Sequence, residues 1–226
     1  MSEQEFTDEE KEKIVLETFE KGRYWYDIEK KYHISSDQLS EWRKEYLRKK
    51  TKNYGYEEIL DKEELEELLE DIYIVHLPPM EINMSSEIKS LEFIVSGGPC
   101  PSDEYYYVND GKTRTLEYRR ENIWGDEEFF PINKKVIVDG SFDRKVLKLL
   151  RYYSKKDYGE NMVCDGEGFS LEAILSDGTK IESSGYMSYP IVQYKLERIL
   201  GAFVSYDIEM MELEEFIKEH DENKEK

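Results

Sequence analysis

Few side chains in this 226-residue chain have the types and spacing that reaction chemistry requires. The histidines His33, His76 and His220 and the cysteines Cys100 and Cys164 are scattered, whereas zinc sites draw such ligands in close pairs. The acidic runs Asp126-Glu127-Glu128 and Asp165-Gly166-Glu167 lack the spaced oxygen ligands of a calcium loop. There is no Gly-x-Ser-x-Gly elbow and no cysteine with an evident histidine partner. Ser96-Gly97-Gly98-Pro99 lacks the Lys-Ser/Thr that completes a phosphate loop. These features predict a non-enzymatic protein with no metal and no cofactor. What remains is contact chemistry. Ser36, Gln38 and Ser40 carry groups that hydrogen-bond base edges, and Arg43, Lys44, Arg48, Lys49 and Lys50 carry charges that meet phosphates. That set fits DNA.

The elements that would position these residues lie in residues 6–50. Thr7 with Glu10 makes a capping box, so a first helix starts there, and Gly22 is placed to close it. A second helix is expected over residues 23–32, burying Trp25 and Ile28. A tight turn, His33-Ile34-Ser35, follows, and Ser35 with Gln38 forms another capping box. The third helix would bury Leu39, Trp42, Tyr46 and Leu47, spaced i, i+3, i+7, i+8. Two helices joined by a short turn and braced by a first helix make a helix-turn-helix, whose third helix meets base edges through its first turns. Phe6 to Lys11, Ile14-Val15, Asp27-Ile28, Tyr32 to Ser35, Leu39 and Trp42 to Lys44 carry a wider likeness. On these residues the segment resembles the N-terminal helix-turn-helix of insertion-sequence transposases and related homeodomain-like regulators. Glu29 and His33 stand where that pattern usually has a small residue and a glycine. The spaced acidic triad of a transposase catalytic domain is not seen, so the likeness implies DNA binding and not transposition.

Charge divides the chain. Residues 1–53 hold 12 Lys/Arg and 13 Asp/Glu, and the other 173 hold 20 and 39, within a net charge of −20. So acidic a chain is repelled by nucleic acid and anionic membranes as a whole. No apolar run approaches the length of a membrane span, and the charged start lacks the regions of a secretion signal. With only two cysteines, the expectation is a cytoplasmic protein with free thiols.

Three parts are predicted: a helix-turn-helix head (1–53), an acidic linker helix (54–77) and an acidic α+β domain (78–226). In the linker, Asp61 with Glu64 opens a helix with Leu65, Leu68, Leu69 and Ile72 on one face. Glu63, Glu66, Glu67 and Glu70 lie on the other, and with Asp126, Glu127 and Glu128 they are candidates for binding a protein partner. Beyond Pro78-Pro79 the pattern turns to strands: 91–96, hairpins around Asn109-Asp110-Gly111 and Ser176-Asp177-Gly178, and 136–138. Helices are expected over 142–153, from Pro190 through Leu200, and over 207–220. The fold class is therefore α+β with a mostly antiparallel sheet and flanking helices. Residues 130–203, with Asp165 to Leu171, Asp177 to Ile181, Ser184-Gly185-Tyr186 and Pro190, resemble a domain of many uncharacterised bacterial proteins. That likeness implies a fold and no activity.

Two functions follow. The first is a DNA-binding regulator whose body forms oligomers, with a homodimer expected, or holds a partner. The second is an acidic inhibitor of the phage anti-defence type, blocking the basic nucleic-acid channel of a nuclease complex.

Overall fold

The computed structural model describes residues 6–19, 25–71, 74–97, 100–120, 132–160 and 166–204, with the backbone alone at 51, 52, 70, 100, 101 and 160. Three helices open the chain: α1 (Asp8–Glu17), α2 (Trp25–Tyr32) and α3 (Ser36–Tyr54). Local chemistry sets their ends. Thr7 and Glu10 close the capping box at α1, and Gln38 accepts from the Ser35 amide while Ser35 Oγ accepts from the Gln38 amide. Between α2 and α3 the chain turns at His33, which adopts φ 55°, a conformation a side chain takes at some cost. Ile14, Ile28, Ile34 and Leu39 bury a small core here, with Phe6, Trp25, Tyr32 and Trp42 around it.

The third helix runs further than its sequence suggests. Residues 49–54, polar in composition, extend α3 until Gly55 (φ 69°) stops it. A 3-10 turn (Tyr56–Glu58) and helix α4 (Lys62–Glu70) follow, with the Asp61–Glu64 capping box in place. Leu47, Tyr56, Leu60, Leu65 and Leu69 join the same buried core as the sheet that follows. α3 and α4 are therefore packed onto the body.

Strands β1 (Ile74–Val75), β2 (Ile88–Gly97), β3 (Cys100–Asn109), β4 (Arg114–Arg120) and β5 (Ile132–Ile137) lead to helix α5 (Gly140–Leu150). Then come β6 (Asp157–Glu160), β7 (Glu167–Leu175), β8 (Lys180–Tyr186), β9 (Tyr189–Pro190) and a helix over 193–204, here α6. Seven strands form one sheet in the order β5-β4-β3-β2-β7-β8-β6, antiparallel except where β6 runs parallel to β8. Both expected hairpins form, with Gly111 (φ 85°) and Gly178 (φ 89°) supplying the left-handed residues. Pro190 departs from its predicted place in a helix. It pairs with Val75 in a short parallel β1–β9 ladder, and the helix starts at 193. A proline gives up no hydrogen bond that so short a strand needs.

Alternate strand residues, among them Leu91, Tyr107, Leu116 and Ala173, face a core completed by α5 and α6. Tyr107 stacks on Phe142 with centroids 4.7 Å apart, and Phe142 meets Phe203 edge-on. Many of the buried tyrosines give their phenol a hydrogen-bond partner. Tyr107 donates to Asp143 (2.6 Å), Tyr118 to Asp103 (2.6 Å), Tyr158 to the Tyr152 carbonyl (2.8 Å) and Tyr189 to the Glu167 carbonyl (2.7 Å). No helix among the described residues is long and apolar enough to cross a membrane.

Candidate functional site

The contact residues expected for DNA sit on α3, and most are engaged inside the molecule. Ser36 Oγ donates to Glu29 Oε1 at 2.5 Å, so the carboxylate standing at the usual small-residue position ties α2 to the start of α3. Gln38 spends its amide oxygen on the Ser35 cap, and Ser40 is half-buried. Arg48 pairs with Glu66 of α4 at 2.8 Å, Lys49 with Glu45 at 2.9 Å, and Lys50 with Glu12 at 3.5 Å while its ammonium lies over the Tyr46 ring. Lys44 is half-buried and has a partner of its own.

Arg43 does not reach the surface. It is 2% exposed, and its guanidinium donates to the carbonyls of Leu69 (3.2 Å), Asp71 (2.8 Å) and Ile74 (2.9 Å). Two of these belong to the C-terminal end of α4, where unpaired carbonyls and the helix dipole favour a cation. The rings of Phe19 and Trp25 lie against the same guanidinium. Burial lowers its pKa to about 10, which leaves it charged at neutral pH. The residue expected to touch phosphate therefore locks α3 onto α4. A sequence signal for this existed: Arg43 lies four residues from both Leu39 and Leu47, each fully buried.

Beside Arg43, His76 is buried with neither ring nitrogen hydrogen-bonded. Phe19 and Tyr56 surround it with ring centroids 6.3 and 5.9 Å away. Burial and the nearby Arg43 charge hold its pKa well below the usual histidine value. Nothing in the sequence distinguished this histidine from the other two.

The partner-binding set divides. Glu63, Glu66 and Glu67 are exposed along α4, while the Glu70 side chain and Asp126, Glu127 and Glu128 lie outside the described residues. Near these carboxylates, α4 and α6 enclose a groove of about 370 Å³ floored by Leu60, Leu68 and Tyr194. Glu64 crosses it to pair with Lys195 at 2.9 Å and with Arg198.

A second group of carboxylates was not foreseen. Glu197 on α6 lies near Glu167 and Asp103. Burial, then the Glu167 charge, raises its pKa to about 7, against a hydrogen bond from Gln193 (2.7 Å). Glu167 is itself raised by burial and by Asp103, whereas Asp103 is paired with Arg120 at 2.7 Å. No group of three or more His, Cys, Asp or Glu among the described residues is placed to hold a metal ion. No family model, curated protein or solved structure matches this chain.

Proposed function

We propose that this chain acts by binding, without catalysis, and that its target is a protein with a basic surface. The observation that carries this reading is the pairing of α3 with α4. The helix expected to enter a DNA groove is flanked by the exposed carboxylates Glu63, Glu66 and Glu67, and Glu66 already occupies Arg48. A phosphate approaching Arg48, Lys49 or Lys50 also meets the carboxylates of Glu66, Glu45 or Glu12, which these cations already pair with. A basic protein surface meets an attractive ridge, with association steered by charge and weakened by salt. In this reading the head braces α4, which carries the ridge, through Arg43. An inhibitor of a nuclease complex, occupying its basic nucleic-acid channel, is the form of partner that best matches such a ridge.

DNA recognition by the head is the second reading, favoured by the exposed position of Gln38 and Ser36 on the first turn of α3. One experiment separates the two. The full chain is offered a random-sequence duplex pool at low salt and, in parallel, used to capture proteins from its own host. Protein binding predicts no enriched DNA motif and capture of a basic partner, lost at high salt and in the triple variant E63K/E66K/E67K. An enriched motif whose binding fails in Q38A overturns it.

A further inference from the structure

The face of the sheet turned away from α5 and α6 carries a row of side chains in register across five adjacent strands. From β5 to β4, β3, β2 and β7 the row reads Ile137, Thr115, Val108, Ser90, Ile174. Ile137 is 80% exposed, Val108 54% and Ile174 37%. The order is a palindrome in side-chain type: isoleucine, hydroxyl, valine, hydroxyl, isoleucine. The adjacent solvent row begins with Lys135 on β5 and ends with Glu172 on β7.

We propose that this face is a homodimer interface, formed by stacking the sheets of two copies about a two-fold axis that runs along β3. Such an axis exchanges β5 with β7 and β4 with β2. Ile137 then meets Ile174 of the second copy, Val108 meets itself on the axis, and Thr115 meets Ser90. Lys135 faces Glu172. A two-fold contact requires one patch to be complementary to itself, and the palindrome meets that requirement. Charge selects the same occupant. The chain carries −20, yet on this face Arg119 neutralises Glu117 at 2.6 Å and Lys180 bridges Glu172 and Glu182 at 3.2 and 2.7 Å. A basic partner finds little to attract it here. A second copy meets a nearly balanced surface, and where carboxylates oppose each other, Glu92 against Glu117 and Glu104 against itself on the axis, Arg119 lies beside Glu117 and Glu104. Five strands at about 4.8 Å and seven residues at about 3.3 Å span roughly 550 Å² in projection. That suits a reversible dimer, somewhat smaller than the standard about 800 Å² per partner. Sheets stacked this way lie about 10 Å apart.

The test is sedimentation of the full chain over about 1–200 μM, because dimer content follows protomer concentration. The expected result is a monomer–dimer equilibrium that tightens as salt screens the −20 charge. I137D and I174K, both on the solvent face, each weaken it at least about tenfold, equal to about 1.4 kcal/mol. The double variant I137D/I174K restores it, because the new charges meet across the axis while lying four strands apart within one copy. Circular dichroism of each variant matches the parent. A chain monomeric throughout the range, a dimer insensitive to both single variants, or a double variant weaker than either single one overturns the proposal.

Discussion

Two residues at the junction of α3, α4 and β1 show what side chains do once they leave water. Arg43 donates three hydrogen bonds to the carbonyls of Leu69, Asp71 and Ile74. Replacing it with Leu removes all three bonds, and a buried carbonyl left without a donor costs about 1–3 kcal/mol. R43L should therefore lower unfolding free energy by about 3 kcal/mol or more in a denaturant titration. His76 gives a pH signature. Its folded pKa lies below the unfolded value, so its contribution is present above about pH 6.5 and is lost as pH falls, when only the unfolded chain takes up the proton. The groups facing it are Arg43, Tyr56 and Phe19. H76F should flatten the fall in stability between about pH 7 and pH 5, read by thermal unfolding across that range. Glu197 tilts the curve the other way. With its pKa raised to about 7, its contribution is full below the ordinary carboxylate pKa and lost as pH rises through 7. The difference between H76F and the parent isolates the histidine.

At the scale of elements, the capping boxes at Thr7, Ser35 and Asp61 were all legible, because a cap depends on residues three positions apart. Both hairpin turns were legible for the same reason. The turn between α2 and α3 was legible as a turn, and His33 occupies its left-handed position. H33G should stabilise the fold by about 0.5–1 kcal/mol, the strain relieved being partly offset by glycine's entropy, measured as a shift in the denaturation midpoint at constant slope. The length of α3 was not legible. Lys49 to Lys52 looks like linker by composition, but a buried Leu47 and Tyr56 anchor the chain on either side of it. Nor were the parallel pairings β1–β9 and β6–β8, which join residues more than 20 apart in ladders of a few residues. Such short strands carry no period to read.

At the scale of the molecule, the candidate surfaces lie apart and differ in charge. The α4 ridge presents the exposed carboxylates Glu63, Glu66 and Glu67, whereas the open sheet face is internally compensated. Added salt should therefore weaken capture of a basic partner and strengthen self-association, which makes ionic strength the variable that tells the two contacts apart. A dimer stacked on its sheets would carry two ridges and bind a repeated or paired target with greater effective affinity.

The sequence by itself determined what is local: three capped helices, two hairpins, an α+β body and the uneven spread of charge. Each depends on residue spacings within a few positions, where helix and strand periods and turn chemistry act directly. Tertiary structure alone decided what those residues are available to do. Arg43 has the same chemistry as a phosphate contact or as a helix cap, and only the arrival of the α4 carbonyls made it the latter. The palindromic row is likewise invisible along the chain, since its five members come from five strands and meet only through the sheet's register. The order of residues sets each side chain's capacity, and the long-range packing of α3 and the sheet sets which partner it meets.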